Sequence, residues 1–318
     1  AGRGAEERPQ QADYSSAVCS AFAPRTSDGA PNIVLAEAGT GTGKTLGYVA
    51  PASVWAEKNE GAVWISTYTR NLQRQIDGEL NRLYPDPRDK RRKAVVRKGR
   101  ENYLCLLNFE EAQRPLAQQP RQAIPLGLMA RWAAATRDGD MVGGDFPAWL
   151  TELIGARFTS ALADQRGECI YAACPHYSRC FVEKTVRRAR SAEIVVANHA
   201  LVMVQAALGG LDDASMPTRY VFDEGHHLFD AADKAFSAHL TGQEGAELRR
   251  WLLGAENKGS SRARGLKQRL ESLISEREEL RDAVNAVIVA AQCLPDQGWL
   301  MRLQDGVDHA SGPAEIFL

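Results

Sequence analysis

The stretch AGTGTGKT, Ala38 to Thr45, restricts the fold more than any other part of the 318-residue chain. The apolar run NIVLAEA precedes it and the helix-forming LGYVAPASVWAEK follows it. A glycine-rich turn between a strand and a helix is a phosphate cradle. Its glycines let the backbone wrap closely, so that N–H groups converge on anionic oxygens. The positive end of the next helix adds to that field. Ala38, Gly39, Thr40, Gly41, Thr42 and Gly43 would line the cradle. Lys44 would reach the β- and γ-phosphates of ATP, and the Thr45 hydroxyl would ligate Mg²⁺. Ala38 stands where the general pattern has glycine, and a small residue there keeps the turn.

Such a cradle needs a sheet behind it. NIVLAEA is predicted to be a short buried strand, AVWISTY a second, and AEIVVAN and RYVFDE two more. NLQRQIDGELNRL carries Leu72, Ile76, Leu80 and Leu83 at the spacing of an amphipathic helix. The first 30 residues are helical in character, with PRTSDGAPN as a loop. Apolar strands alternating with helices predict an α/β fold with a parallel sheet covered on both faces. Two segments interrupt the alternation, one from about residue 98 to 190 and one from about 240 onward. Both read as insertions into, or extensions from, one core.

RYVFDEGHH, Arg219 to His227, is an apolar strand ending in adjacent acids. Asp223 is placed to hold Mg²⁺, and Glu224 to polarise the water that attacks the γ-phosphate. No apolar run approaches the ~20 residues that span a bilayer, and AGRGAEERPQ has no apolar core of a secretion signal. The expectation is a cytoplasmic protein with no membrane partner. Net charge is −1, so global charge does not advertise a nucleic-acid partner. Local charge does: RDKRRKAVVRKGR holds eight basic residues and one acid, and RCFVEKTVRRAR is a second basic run.

The stretch GECIYAACPHYSRC places Cys169, Cys174 and Cys180 at x4 and x5 spacings. Clustered cysteines in a cytoplasmic chain bind metal more often than they pair. Cys105, in KGRENYLC, would be a fourth ligand. Four thiolates suit an iron–sulfur cluster or structural zinc, and spacing alone leaves both open. His176 reads as a solvent-facing residue of the loop. Cys19 and Cys293 lie alone in helical contexts and are expected to be small buried hydrophobes.

Taken together these motifs resemble the DinG/YoaA branch of the XPD-type iron–sulfur superfamily 2 DNA helicases. RPQQ looks like the adenine-reading Q motif, with Gln11 as the reader. AEAGTGTGKT looks like motif I, STYTRNLQRQ like motif Ia, and DEGHH stands where the family usually has DEAH. KGRENYLC with the three later cysteines looks like the inserted cluster domain, and VANHAL precedes the motif II strand as in the family. The resemblance implies a RecA-like P-loop sheet (helicase domain 1) with an inserted Fe–S cluster domain and a helical arch domain. Its boundaries would be 1–98 and 191–240 for the RecA-like domain, 99–190 for the cluster domain and 241–318 for the arch.

The same resemblance implies ATP, Mg²⁺ and a [4Fe–4S] cluster, with single-stranded, forked or branched DNA as partner and 5′→3′ unwinding in repair or replication. The chain would act as a monomer in the bacterial cytoplasm, associated with the nucleoid. Thr67, Thr69, Arg70 and Gln73 would lie on the DNA side, joined by Arg97, Lys98 and Arg100 of the basic run. Gly225 replaces the alanine of DEAH, a change small enough to keep the geometry. The chain stops at AEIFL without a motif III or VI, so the expectation is the first part of a longer helicase, lacking its second RecA-like domain. Alone it would bind ATP and DNA but turn over little. The alternative is an ATP-responsive, iron–sulfur DNA-binding module that never unwinds.

Overall fold

Val63–Thr67, with sequence VWIST, is buried at every position, a pattern that only a strand covered on both faces can have. In the computed structural model, which describes residues 8–24, 29–39, 41–117, 119–164, 169–208, 218–237, 242–254, 265–274 and 277–295, this strand is β1. Ala94–Val96 is β2, Ile194–Asn198 is β3 and Arg219–Phe222 is β4, in the order β2-β3-β1-β4. Every pairing is parallel, with Ile65 opposite Val196 on one side and Val221 on the other. The outcome is a mixed α/β fold with a small parallel sheet, consistent with a RecA-like core.

Side-chain alternation along the strands feeds two cores. Val63, Ile65, Ile194 and Val196 point to one face, against Tyr48, Val49 and Ala52 of the Lys44–Asn59 helix and Ile76 and Leu80 of the Arg70–Leu83 helix. Trp64, Val95, Val195 and Ala197 point to the other, against Ala189, Ala192 and Val202. Ile76 and Leu80 are among the residues whose spacing predicted an amphipathic helix, and both are fully buried.

Two features differ from expectation. Strand β2 sits inside the basic run, where three apolar residues between Lys93 and Arg97 were too short a signal to read as a strand. The second is a correction. NIVLAEA forms no strand: residues 31–39 carry no regular structure, and Ile33 and Leu35 are 74% and 95% exposed. Apolar, β-branched composition makes a segment able to enter a sheet, but entry needs a ladder partner, and among the described residues none pairs with the outer edge of β4.

The chain divides into two compact units. The first comprises residues 1–104, 137–146 and 175–237 and contains the sheet. The second comprises residues 105–136, 147–174 and 238–318, and its described elements are helical. There Leu126, Met129 and Trp132 of the Ala123–Ala135 helix are buried, and the Gly242–Leu253, Leu266–Ile274 and Glu278–Ala291 helices pack together. Arg249 ties this group by donating to the carbonyls of Gln292 and Leu294, both at 2.6 Å. The expected arch segment at 255–264 and 296–318 lies outside the described residues. No described helix is long and apolar enough to cross a membrane.

Candidate nucleotide site and cysteine set

The glycines of the cradle do what the sequence requires of them. Gly41 and Gly43 have φ of 81° and 79°, a left-handed backbone that favours glycine. Gly43 caps the start of the Lys44–Asn59 helix, and its carbonyl accepts the Gln11 amide N–H at 2.8 Å. A Cβ at Gly43 would collide with that amide, so the predicted adenine reader is packed against the cradle itself. The Thr42 hydroxyl donates to the Gly39 carbonyl at 2.9 Å, and Arg8 donates to the Gly41 carbonyl at 3.3 Å. Thr40 lies outside the described residues, while Ala38 and Gly39 lead into the turn without strand structure. Two contacts therefore brace the loop from the N-terminal helix side, and the sequence pointed to only one of them.

The acids arrive on β4. The Asp223 N–H donates to the Ser66 carbonyl at 2.8 Å, extending the β1–β4 ladder by one rung into the turn. Glu224 follows with φ 55° and ψ 50°, a left-handed conformation that is uncommon for a residue with a side chain. That turn sends the Glu224 carboxylate to Lys44, with Nζ and Oε1 at 3.3 Å across 180 positions of sequence. Burial, then the Glu224 charge, push the Asp223 carboxyl above its ordinary value, while Lys44, Tyr48 and Thr67 oppose the shift. The Tyr48 phenol is pushed up in turn by burial and by Asp223.

Tyr48 and Thr67 face the Asp223 carboxylate, yet their buried hydroxyls reach hydrogen-bonding geometry with no described residue. Orphaned buried hydroxyls beside a carboxylate destabilised by burial are what a hydrated cation would satisfy. The oxygen donor set of Asp223 with Thr45 fits Mg²⁺, a hard cation that keeps several of its waters. Tyr48 was not singled out by sequence, because a tyrosine in a helix reads as core.

The expected DNA-side residues separate into exposed and buried groups. Thr69 and Arg70 are exposed, and the Thr69 hydroxyl caps the Arg70–Leu83 helix by accepting from the Leu72 N–H at 3.3 Å. Thr67 and Gln73 are buried. Tyr68, between them in sequence and 48% exposed, stacks on His227 with ring centroids 3.7 Å apart. In the basic run, Lys98 is ion-paired with Asp140 in a nearly buried pair, and Arg100 meets Glu183 at 3.0 Å. Arg97 lies over the Trp64 ring at 5.3 Å. Arg188 of the second run donates to the carbonyls of Arg91 and Ala94 at 2.8 and 3.0 Å. Much of the basic charge thus anchors neighbouring segments inside the first unit.

Cys105, Cys169 and Cys174 belong to the second unit and Cys180 to the first, where it caps the Phe181–Ala189 helix. Burial pushes the Cys105 thiol up to about 12, with Asp164 and Cys174 adding to the rise and the Asn108 and Leu107 N–H groups opposing it. The Tyr171 N–H points at the Cys169 sulfur at 3.4 Å. Thiols approached by backbone N–H donors fit iron–sulfur or zinc ligation in kind. Among the described residues, however, no three His, Cys, Asp or Glu side chains are gathered as a metal site. Cys19 and Cys293 require correction: both are exposed. Each stands at a helix end, beyond the packed face that would have buried it.

No family model matches the chain. Among curated proteins it is 32% identical over 254 residues to the ATP-dependent DNA helicase YoaA of Haemophilus influenzae, covering 76% of this chain and 36% of that protein. It is 32% identical over 259 residues to the ATP-dependent helicase DinG of Mycobacterium tuberculosis, covering 75% and 37%. It is 28% identical over 243 residues to a Bacillus subtilis protein named 3′-5′ exonuclease DinG, covering 74% and 24%. The chain therefore spans little more than a third of the length of these relatives at most. The cradle, the acid turn that reaches it and these similarities agree, and over about three quarters of its length the chain is similar to DinG/YoaA-like superfamily 2 helicases.

Proposed function

We propose that the chain is the nucleotide-binding part of an ATP-dependent 5′→3′ DNA helicase that acts on single-stranded and forked DNA in repair or replication. The observation that carries the reading is the Lys44–Glu224 pair, which joins the cradle lysine to the acid proposed to orient water. Without nucleotide each holds the other's charge. A triphosphate offers Lys44 several anionic oxygens at once, which frees Glu224 to accept a hydrogen bond from the attacking water. The strained turn at Glu224 keeps the carboxylate at the mouth of the cradle during that exchange. Mg²⁺, held by Thr45 and Asp223, would neutralise charge developing on the β- and γ-oxygens. Gln11 would read the base and Ala38 to Thr45 would hold the phosphates.

Cys105, Cys169, Cys174 and Cys180 would hold a [4Fe–4S] cluster with a structural role beside the DNA path. Thr69 and Arg70 would meet the strand backbone. Unwinding belongs to the whole protein, because the relatives extend well beyond the aligned residues. An arginine supplied to the γ-phosphate from another domain is worth about three to five decades of rate in other NTPases. The chain alone is therefore expected to bind ATP and turn it over slowly. Titrating it with a non-hydrolysable ATP analogue and Mg²⁺ tests the reading. Saturable binding that Lys44→Ala abolishes is expected, and equal binding by the variant would remove the nucleotide assignment.

A further inference from the structure

His199 is 1% exposed, and neither the cradle nor the proposed acid chemistry uses it. Its place is set by backbone. It is the first residue of the His199–Ala207 helix, and that start is fixed by Asn198, whose side chain accepts the Leu201 N–H at 2.9 Å. The ring Nδ1 lies 2.7 Å from the Ser66 Oγ, 133 positions away in sequence. The ring centroid is 6.1 Å from that of Phe222, the last residue of β4. Nε2 has no hydrogen-bond partner among the described residues, although the backbone of Asp223 and Glu224 faces the ring. A histidine that merely fills a core has both nitrogens satisfied. This one is tied on one side and leaves the other beside the acid turn.

We propose that His199 is a positioning residue that clamps the Asp223–Glu224 turn to the end of β1, so that nucleotide occupancy and the Tyr68–Arg70 surface loop are set together. The proposal rests on the nucleotide-site reading above. Ser66 touches the turn through its carbonyl, which accepts the Asp223 N–H, and touches His199 through its hydroxyl. With the Ser66 hydroxyl donating to Nδ1, the ring proton sits on Nε2 and is aimed at the carbonyls of the turn. When Glu224 leaves Lys44, a small rotation of the turn would let that N–H close on a carbonyl. The displacement is passed to β1, and one residue beyond Thr67 the chain emerges as Tyr68, itself stacked on His227 of the same turn at 3.7 Å. Strand end and acid turn are thus joined at two depths, inside through His199 and outside through the ring stack.

The test is linkage in the intact chain. Affinity for the non-hydrolysable ATP analogue with Mg²⁺ is measured with and without oligothymidylate, giving a coupling factor. Wild type is expected to show coupling of about fivefold or more. His199→Leu should bring the factor close to one while changing nucleotide affinity without DNA by less than about threefold. His199→Gln, which keeps an N–H near the ε position, should restore much of it, a rescue that a purely structural role would not give. Should the Leu variant fail to fold by thermal melting, Ser66→Ala serves instead, with partial loss expected. Undiminished coupling in the Leu or Ser66 variants, or a Gln variant as defective as Leu, overturns the clamp. Wild-type binding of both ligands without coupling also overturns it. Absence of wild-type nucleotide binding overturns the function reading beneath it.

Discussion

The cradle and the cysteine set are both built from residues far apart in sequence, but they hang on different parts of the fold. Lys44 and Glu224 meet across 180 positions with no ligand to draw them together. Cys105, Cys169 and Cys174 lie in the second unit, where burial and Cys174 both push the Cys105 thiol up. The difference lies in what each site hangs on. The acid turn continues a parallel ladder through Asp223 and Ser66, and the cradle opens a helix whose residues Tyr48, Val49 and Ala52 are core. Folding the sheet therefore brings Lys44 and Glu224 together. The cysteines sit on short turns and helix ends, where little but the ligand itself could supply the energy of assembly.

The largest expected effect separates the two regions. Lys44→Ala should weaken ATP analogue binding by roughly 100-fold or more, since it removes the one lysine of the cradle and its pairing with Glu224. Calorimetric titration checks it, and a loss under tenfold would mean that the pair does not mark the nucleotide site. Next in size is the converse experiment. Cys169→Ser or iron chelation should raise the protease sensitivity of the second unit roughly tenfold, by opening a segment whose stability is coupled to metal. Nucleotide affinity should stay within about twofold, as expected of independent sites. Limited proteolysis with mapped cut sites shows whether cleavage stays within residues 105–136 and 147–174.

Much of this comparison was legible in the sequence, and the reasons are specific. Val63–Thr67 and Ile194–Asn198 were readable as strands because buried parallel strands are apolar throughout, and the half-buried Arg219–Phe222 because of its aromatic and β-branched residues. Ala94–Val96 was hidden by the basic residues on both sides. NIVLAEA carried the same apolar signal and forms no strand, because pairing depends on an available edge and not on the segment alone. Lys44 and Glu224 were singled out through their motifs, and the fold brings them within 3.3 Å. Tyr48, Tyr68 and His199 were not, since a tyrosine in a helix and a histidine after a strand carry no local mark of what they will face. Only the fold brings His199 to Ser66. Arg97, Lys98 and Arg100 read as a basic surface, whereas Trp64, Asp140 and Glu183 engage them.

Two smaller effects sharpen the contrast. Asp223 is held above its ordinary pKa, so the folded chain binds the proton more tightly than the unfolded chain. Stability should fall as pH rises from the usual carboxylate range through the raised value, and stay level above it. Asp223→Asn should accordingly raise the melting temperature near neutral pH by a few degrees while weakening Mg²⁺-dependent nucleotide binding. An unchanged or lowered melting temperature would contradict the burial argument. The last is a rate. With the Cys105 thiol pushed up to about 12 and buried, its alkylation in the metal-free chain should be slower than at exposed Cys19 and Cys293. A difference of roughly tenfold is expected by mass spectrometry of labelled peptides.

The most direct test is one titration performed twice: ATP analogue with Mg²⁺ into anaerobically purified chain, then into the same chain after its metal has been chelated. Iron, sulfide and zinc are assayed in both samples. A site assembled by the sheet alone predicts equal affinity before and after, with the loss of metal confined to the cysteine region. Nucleotide affinity that disappears with the metal would contradict the account, because the cradle would then depend on the cysteine region and not on the sheet.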